Sequence, residues 1–131
     1  DLFRKAVSDG WMRDGAPGFA YTVGFDGKVL NSSHLSWVAC EALSAAIVLD
    51  QEFPGSCYAE WVVRLQKYAA SYLVDPRFGG WYTELDSLNN PSSLIWGDKP
   101  DFYHPFQAVL LPRVVVGPSL LGSLLNTEDE L

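Results

Sequence analysis

The sequence predicts a mainly α-helical chain built from helical hairpins, with short β-hairpins in the connecting loops. Two long helical patterns follow one another across the short turn Phe53-Pro54-Gly55. The first is apolar nearly all round, as expected of a helix that is buried on most sides, whereas the second is amphipathic. This order is typical of a helical hairpin with one inner and one outer member.

The first part of the chain predicts one helix and one β-hairpin. Apolar residues recur with helical spacing over residues 1–13, and Gly15 and the pair Pro17-Gly18 end this helix. Between Phe19 and Leu30, apolar residues alternate with smaller or polar ones around Asp26-Gly27, a tight-turn sequence.

The central helices are predicted to run from His34 to about Leu49 and from Ser56 to about Leu73. A serine at position 32 or 33 is the candidate N-cap of the first. Glu41 is the only charge inside that helix. It lies either on a narrow solvent-facing stripe or beside Trp37, facing a cavity.

A long irregular segment, Asp75 to His104, separates this hairpin from the last clear helical pattern. It contains two of the five Trp residues, so it is too aromatic to be disordered, and long ordered loops are usually functional. Trp81 to Leu85 is predicted to form a strand with Leu94-Ile95-Trp96 as its partner. Pro105 is predicted at the first position of the following helix. Aromatic rings and carboxylates on one loop suggest a sugar site.

Composition and charge exclude several partners. The 131 residues, 48% of them hydrophobic, indicate one globular domain. The net charge of −7 and the lack of clustered Lys and Arg argue against nucleic acid. No apolar run approaches the roughly 20 residues of a membrane helix. Cys40 and Cys57 are expected to be reduced thiols, and without a recognisable secretion signal we expect a cytoplasmic protein.

His104 is the strongest candidate for chemistry. It stands at a predicted helix start, where backbone N–H dipoles disfavour a protonated imidazole and keep the ring available as a base. Asp101 is placed to orient it. The alternative is a hydrogen-bonded structural histidine. We expect His34 to have a surface or capping role, and the spacing of the two histidines predicts no metal site.

Three further residues are candidates for contact with a sugar. Glu84 and Asp86 share one face of the predicted strand, so Glu84 either binds a hydroxyl, orients a catalytic histidine or lies in a solvated hairpin. Trp37 and Trp81 form either a stacking floor or part of the core.

Together these segments resemble the C-terminal part of the N-acylglucosamine 2-epimerase family, which includes the aldose–ketose isomerases of mannose and sulfoquinovose. The matching segments are DGAPGF at 14–19 with the Asp26-Gly27 hairpin, WVACEA at 37–42, Tyr58 to Trp61, DPRFGGWYTELD at 75–86, Gly97 to His104, and Pro112-Arg113. The resemblance implies an (α/α)6 barrel, an inner ring of six helices inside an outer ring, with a sugar pocket at one end.

The resemblance also implies a proton transfer that needs no cofactor. A histidine takes the C2 proton of an open-chain aldose, an enediolate forms, and a proton returns to C1 in an isomerase or to C2 in an epimerase. His104 matches one of the family's acid/base histidines. The residues that match its pocket-lining segments are Trp37, Trp81, Glu84 and Tyr103. Sulfosugar isomerases carry Gln where this chain has Thr83 and Pro100, so a neutral hexose such as mannose is expected.

Two departures from the family pattern shape the remaining expectations. The second acid/base histidine, in a His-Gly-Leu-Glu-Trp type motif, and a further pocket His and Arg have no counterpart here. We therefore expect residues 1–131 to be the C-terminal portion of a single (α/α)6-barrel domain. The apolar helix 34–49 would then be covered by the N-terminal portion or a partner chain. The alternatives are a 2-epimerase, an inactive fragment, or an (α/α)6-barrel glycoside hydrolase using Glu84 and Asp101.

Overall fold

The computed structural model of the chain describes residues 2–96 and 101–126, which are mainly helical. The helices are α1 (Leu2–Gly10), α2 (Ser36–Glu52), α3 (Tyr58–Tyr68), α4 (Tyr103–Leu110) and α5 (Leu120–Asn126). A π-helical turn, Ala69–Leu73, extends α3, and a 3-10 turn, Leu111–Arg113, extends α4. The short strands are β1 (Thr22–Val23), β2 (Val29–Asn31), β3 (His34–Leu35) and β4 (Glu84–Leu85).

Helix α2 is the inner element of the fold and packs against both α3 and α4. Its buried residues Cys40, Leu43 and Ile47 share a core with Leu65 of α3 and Ala108 of α4. The other face of α3 carries exposed polar residues. The predicted helical hairpin is therefore confirmed, because the all-round apolar pattern of α2 lets it pack on two helices at once.

A second side of α2 faces an open apolar groove. The groove has a volume of about 870 Å³, and its lining comes from α1, from the segment around β1 and from the outward face of α2. The α2 residues in this lining are Val38, Ala42, Ala45, Val48 and Leu49. This open apolar surface lies on the helix that the sequence predicted to be covered by the N-terminal portion or by a partner chain.

The two strand pairs hold the loops at the start of α2. Strands β1 and β2 form the predicted antiparallel hairpin, with Val23 opposite Val29. Strands β3 and β4 are also antiparallel, with His34 opposite Leu85 and Leu35 opposite Glu84. The N–H of Ser36 donates to the carbonyl of Thr83 at 3.0 Å, so the ladder runs directly into the first turn of α2.

Two local predictions are wrong. The strand at 84–85 pairs with β3 and not with residues 94–96, whose backbone N–H groups instead donate to the Glu84 carboxylate. Helix α2 begins at Ser36 rather than His34 and has no side-chain N-cap. The cause is that residues 34–35 are extended in β3, and the Ser33 hydroxyl donates to Glu84 instead of capping the helix.

Helix α4 starts slightly earlier than predicted. Helix α4 begins at Tyr103, so Pro105 is its third residue and not its first. A proline is still accommodated there, because the first turn of a helix has no intrahelical acceptors for its N–H groups.

Candidate functional site

His104 lies in the first turn of α4, where a carboxylate holds its ring. Its Nδ1 is 2.7 Å from Oδ2 of Asp101, and its backbone N–H donates to Oδ1 of the same residue at 3.3 Å. An ionised carboxylate only accepts hydrogen bonds, so Nδ1 donates to Asp101, and in the neutral ring it is Nε2 that presents a lone pair. The His104 side chain is 28% exposed. The Asp101–His104 contact expected from the sequence is present.

Helix α2 brings a second carboxylate to the same ring. Oε1 of Glu41 lies 3.7 Å from Nε2 of His104, and the Glu41 side chain is about half exposed. Trp37, one turn earlier on α2, places its ring centroid 6.1 Å from that of His104. The sequence left two placements for Glu41, a solvent-facing stripe or a cavity beside Trp37. The Glu41 side chain is exposed to solvent, and its carboxylate also faces His104, the candidate base. The i, i+4 spacing of Trp37 and Glu41 is the sequence signal for this shared face.

Aromatic side chains surround the imidazole. Tyr103 packs edge-on against His104 with centroids 5.0 Å apart and is largely exposed. Trp81 lies in a neighbouring cleft of about 450 Å³, which Asp101 and Phe102 also line. Trp37, Tyr103 and His104 are therefore in one cluster, and Trp81 approaches it from the Asp101 side while also packing on the core.

Glu84 does not face a sugar site, contrary to the prediction. It is 1% exposed, and its two oxygens accept from the Ser33 and Ser92 hydroxyls and from three successive N–H groups at residues 94–96. Burial raises the pKa of Glu84, but the hydrogen bonds from Trp96, Ile95, Ser92 and Leu94 outweigh burial and lower it. In this chain the carboxylate organises the loop at 92–96 and offers no exposed oxygen to a ligand.

The two carboxylates proposed for a glycoside hydrolase do not form an exposed pair. Glu84 is buried among protein donors, and Asp101 is bound to His104 with its side chain 12% exposed. A hydrolase needs one acid and one base flanking the scissile bond. This alternative is not supported by the geometry.

The surface or capping role predicted for His34 is wrong. Its side chain is fully buried and contacts Asp14 and Asn89. No sequence signal indicated this, because both partners are distant in the chain.

The two cysteines are free thiols, as predicted. Burial, followed by the charges of Asp101 and Glu41, raises the pKa of Cys40 to about 12. Cys40 is therefore a neutral thiol beneath the candidate site and not a nucleophile.

Residues 2–96 and 101–126 contain no group of three or more His, Cys, Asp or Glu side chains arranged to hold a metal ion. In the same parts of the chain, no helix is both long and apolar enough to cross a membrane.

Comparison with known proteins extends these observations. The sequence profile of the N-acylglucosamine 2-epimerase (GlcNAc 2-epimerase) family matches residues 1–108. A D-mannose isomerase of Thermobifida fusca is 42% identical over 124 residues, which are 94% of this chain and 30% of that protein. A D-mannose isomerase of Pseudomonas cannabina pv. alisalensis is 38% identical over 127 residues, or 97% of this chain and 31% of that protein.

Solved structures show the same fold. A D-mannose isomerase crystal structure aligns with a TM-score of 0.71 at 23% identity, covering 86% of this chain and 28% of that chain. A cellobiose 2-epimerase from Bacillus thermoamylovorans B4167 aligns with a TM-score of 0.63, also at 23% identity, covering 86% of this chain and 29% of that one.

Fold and site define the class: a helical hairpin packed against α4, whose first turn carries a histidine held by a carboxylate and flanked by aromatic rings. The chain belongs to the N-acylglucosamine 2-epimerase family. It spans about 30% of the length of the curated relatives it matches.

Proposed function

We propose that this chain contributes the base and part of the pocket wall of an aldose–ketose isomerase of the mannose–fructose type. The observation that carries the proposal is the His104 ring, which is fixed through Nδ1 by Asp101 and is partly exposed. The likeness to two D-mannose isomerases over nearly the whole chain supports the choice of substrate.

In the proposed reaction, Nε2 of His104 takes the proton from C2 of the open-chain aldose. The electrons of the C2–H bond form a C1=C2 double bond, and the former carbonyl oxygen at C1 becomes the enediolate oxygen. The proton on Nε2, which exchanges with solvent, returns to C1, the O2 proton moves to O1, and C2=O forms. No redox partner is required, because the oxidation of C2 to a ketone is balanced by the reduction of C1 to an alcohol.

The two carboxylates around His104 have different proposed roles. Asp101 fixes the tautomer, so that Nε2 and not Nδ1 is the base. Glu41 stabilises the imidazolium that forms once the C2 proton has been taken, because its Oε1 lies 3.7 Å from Nε2.

The aromatic residues provide apolar faces for the sugar ring. Trp37 and Tyr103 flank the imidazole directly, and Trp81 extends this surface beyond Asp101. Glu84 is proposed to act through the loop it holds, since three N–H groups of that loop donate to its carboxylate. Thr83, beside β4, favours a neutral hexose over a sulfonate sugar. The expectation of a neutral hexose also rests on Pro100, which lies outside the described residues.

We further propose that these helices form the C-terminal portion of an (α/α)6 barrel. The fold likeness and the coverage of under a third of each relative support this. The apolar groove between α1 and α2 is then the face on which the preceding helices, or a partner chain that replaces them, pack.

The test is to incubate the protein made from the complete coding sequence with mannose in D2O. The proposal expects fructose carrying deuterium at C1. Glucose carrying deuterium at C2 would instead establish the 2-epimerase that the family name suggests. No exchange into any hexose would establish an inactive member. The 131-residue chain tested in parallel is expected to give no turnover, since the second acid/base histidine of the family is not in it.

A further inference from the structure

A buried polar cluster at the start of α2 is separate from the candidate site. At its centre is His34, which is 1% exposed and precedes α2 by two residues. Its Nδ1 lies 2.8 Å from Oδ1 of Asn89, and its Nε2 lies 2.9 Å from Oδ2 of Asp14. Both ring nitrogens therefore have a close partner in the absence of solvent.

The orientation of the Asn89 amide can be deduced from its other partners. Its Nδ2 donates to the carbonyl of Pro17 at 2.8 Å, and the Tyr68 hydroxyl donates to its Oδ1 at 3.4 Å. Reversing the amide would set its oxygen against the Pro17 carbonyl, two acceptors at hydrogen-bond distance. Burial, followed by the nearby Asp14, raises the pKa of Tyr68, so its hydroxyl keeps the proton it donates. Oδ1 of Asn89 is thus an acceptor, and Nδ1 of His34 must donate to it.

The second nitrogen faces a carboxylate. An ionised Asp14 accepts only, so Nε2 must also donate. An imidazole that donates from both nitrogens carries a full positive charge. Asp86, on the turn that carries Asn89, is a further acidic group near the ring. Hydrogen bonds from Asn90 chiefly lower the pKa of Asp86, and the charge of His34 makes the smallest contribution to that lowering.

We propose that His34 is a buried imidazolium, and that its ion pair with Asp14 and its hydrogen bond to Asn89 fasten two distant loops to the start of α2. Asp14 belongs to the loop after α1, and Asn89 to the turn after β4. Gly18 closes the cluster, because a Cβ atom there would lie 2.4 Å from Nδ1 of His34. The proposal concerns the charge and the anchoring of α2, and it does not depend on the enzymatic function proposed above.

The charge is tested by 15N NMR of the protein from the complete coding sequence, with labelled histidine side chains, at pH 7. His34→Gln identifies the His34 signals by their loss. The proposal expects both ring nitrogens of His34 at the chemical shift of protonated imidazole nitrogen. A ring with one protonated and one unprotonated nitrogen would overturn it, since Asp14 would then hold the proton.

A double-mutant cycle tests the ion pair independently. His34→Gln leaves the Asp14 charge buried alone, and Asp14→Asn leaves the imidazolium alone, so each is expected to lower the denaturant midpoint. The variant with both changes is expected to lose clearly less than the sum of the two single losses. Additive losses would overturn the ion pair. If a single variant does not fold, the His34 ring signals are assigned by through-bond correlation to its backbone amide, and the NMR result on the unmodified protein then decides the proposal.

Discussion

The Nδ1 atom of His104 lies 2.7 Å from Oδ2 of Asp101, which leaves Nε2 as the only basic atom of the ring. Replacing the carboxylate by an amide removes this control of the tautomer. Asp101→Asn is therefore expected to lower kcat/KM for mannose about 10²-fold, within the range of acid–base contributions. Asp26→Asn in the exposed β1–β2 turn is the control. Equal rates for the two variants would exclude an orienting role for Asp101.

Glu41 is expected to contribute less than Asp101. Oε1 of Glu41 lies 3.7 Å from Nε2 of His104, and the Glu41 side chain is about half exposed, so water screens the interaction between them. Glu41→Gln should lower kcat about fivefold, corresponding to ~1 kcal/mol. Glu60→Gln, on the exposed face of α3, is the matched control and should leave kcat unchanged. A loss of more than about 10³-fold on Glu41→Gln would make Glu41 a catalytic acid or base itself.

The ionisation of Glu84 makes the unfolding free energy depend on pH. Its pKa is lower in the folded than in the unfolded chain, so the stabilisation that it provides is fully present above the unfolded value of about 4.3. It is lost as the pH falls through the folded value. Glu84→Gln should cost about 2–3 kcal/mol of unfolding free energy at pH 7, because an amide cannot accept all five hydrogen bonds.

The control for Glu84 is the pH dependence of the same measurement. Between pH 7 and acid, the unfolding free energy of Glu84→Gln should fall less steeply than that of the unmodified protein. Parallel curves would show that Glu84 contributes no linked proton.

The two thiols are expected to differ in reactivity. Because the pKa of Cys40 is raised to about 12 and its side chain is buried, it should resist alkylation at pH 8 in the folded protein. Cys57 is partly exposed and should be modified first. Mass spectrometry of the peptides, with Cys57→Ser as control, checks the order. Preferential labelling of Cys40 would contradict the packing of α2.

The apolar groove provides a stability test of the proposed barrel. Val48 on α2 and Val63 on α3 are both partly exposed here, at 37% and 49%. In the protein from the complete coding sequence, Val48→Asp should cost at least ~2 kcal/mol, because a charge would be buried under the covering helices. Val63→Asp should cost less than ~0.5 kcal/mol. Similar small losses for both would mean that nothing covers the groove.

Much of the helical framework could be predicted from the sequence because it is encoded locally. The all-round apolar pattern of α2 and the one-sided pattern of α3 predicted an inner and an outer helix. The Asp101–His104 contact was predictable for the same reason, since the partners are only three positions apart in the chain.

The rest depends on pairings between distant residues. The β3–β4 ladder joins two-residue strands about 50 positions apart, too short to show an alternating pattern. His34 is buried by partners 20 and 55 positions away, and Glu84 is saturated by a loop that the sequence suggested was a strand. Local patterns cannot indicate such contacts.

The most direct test of the account is the fate of the C2 proton when His104 is replaced. With [2-2H]mannose as substrate, the unmodified protein from the complete coding sequence should release or transfer the label while forming fructose. His104→Asn should reduce fructose formation by at least about 10²-fold, with unchanged thermal stability. Undiminished isomerisation by His104→Asn would contradict the assignment of His104 as the base.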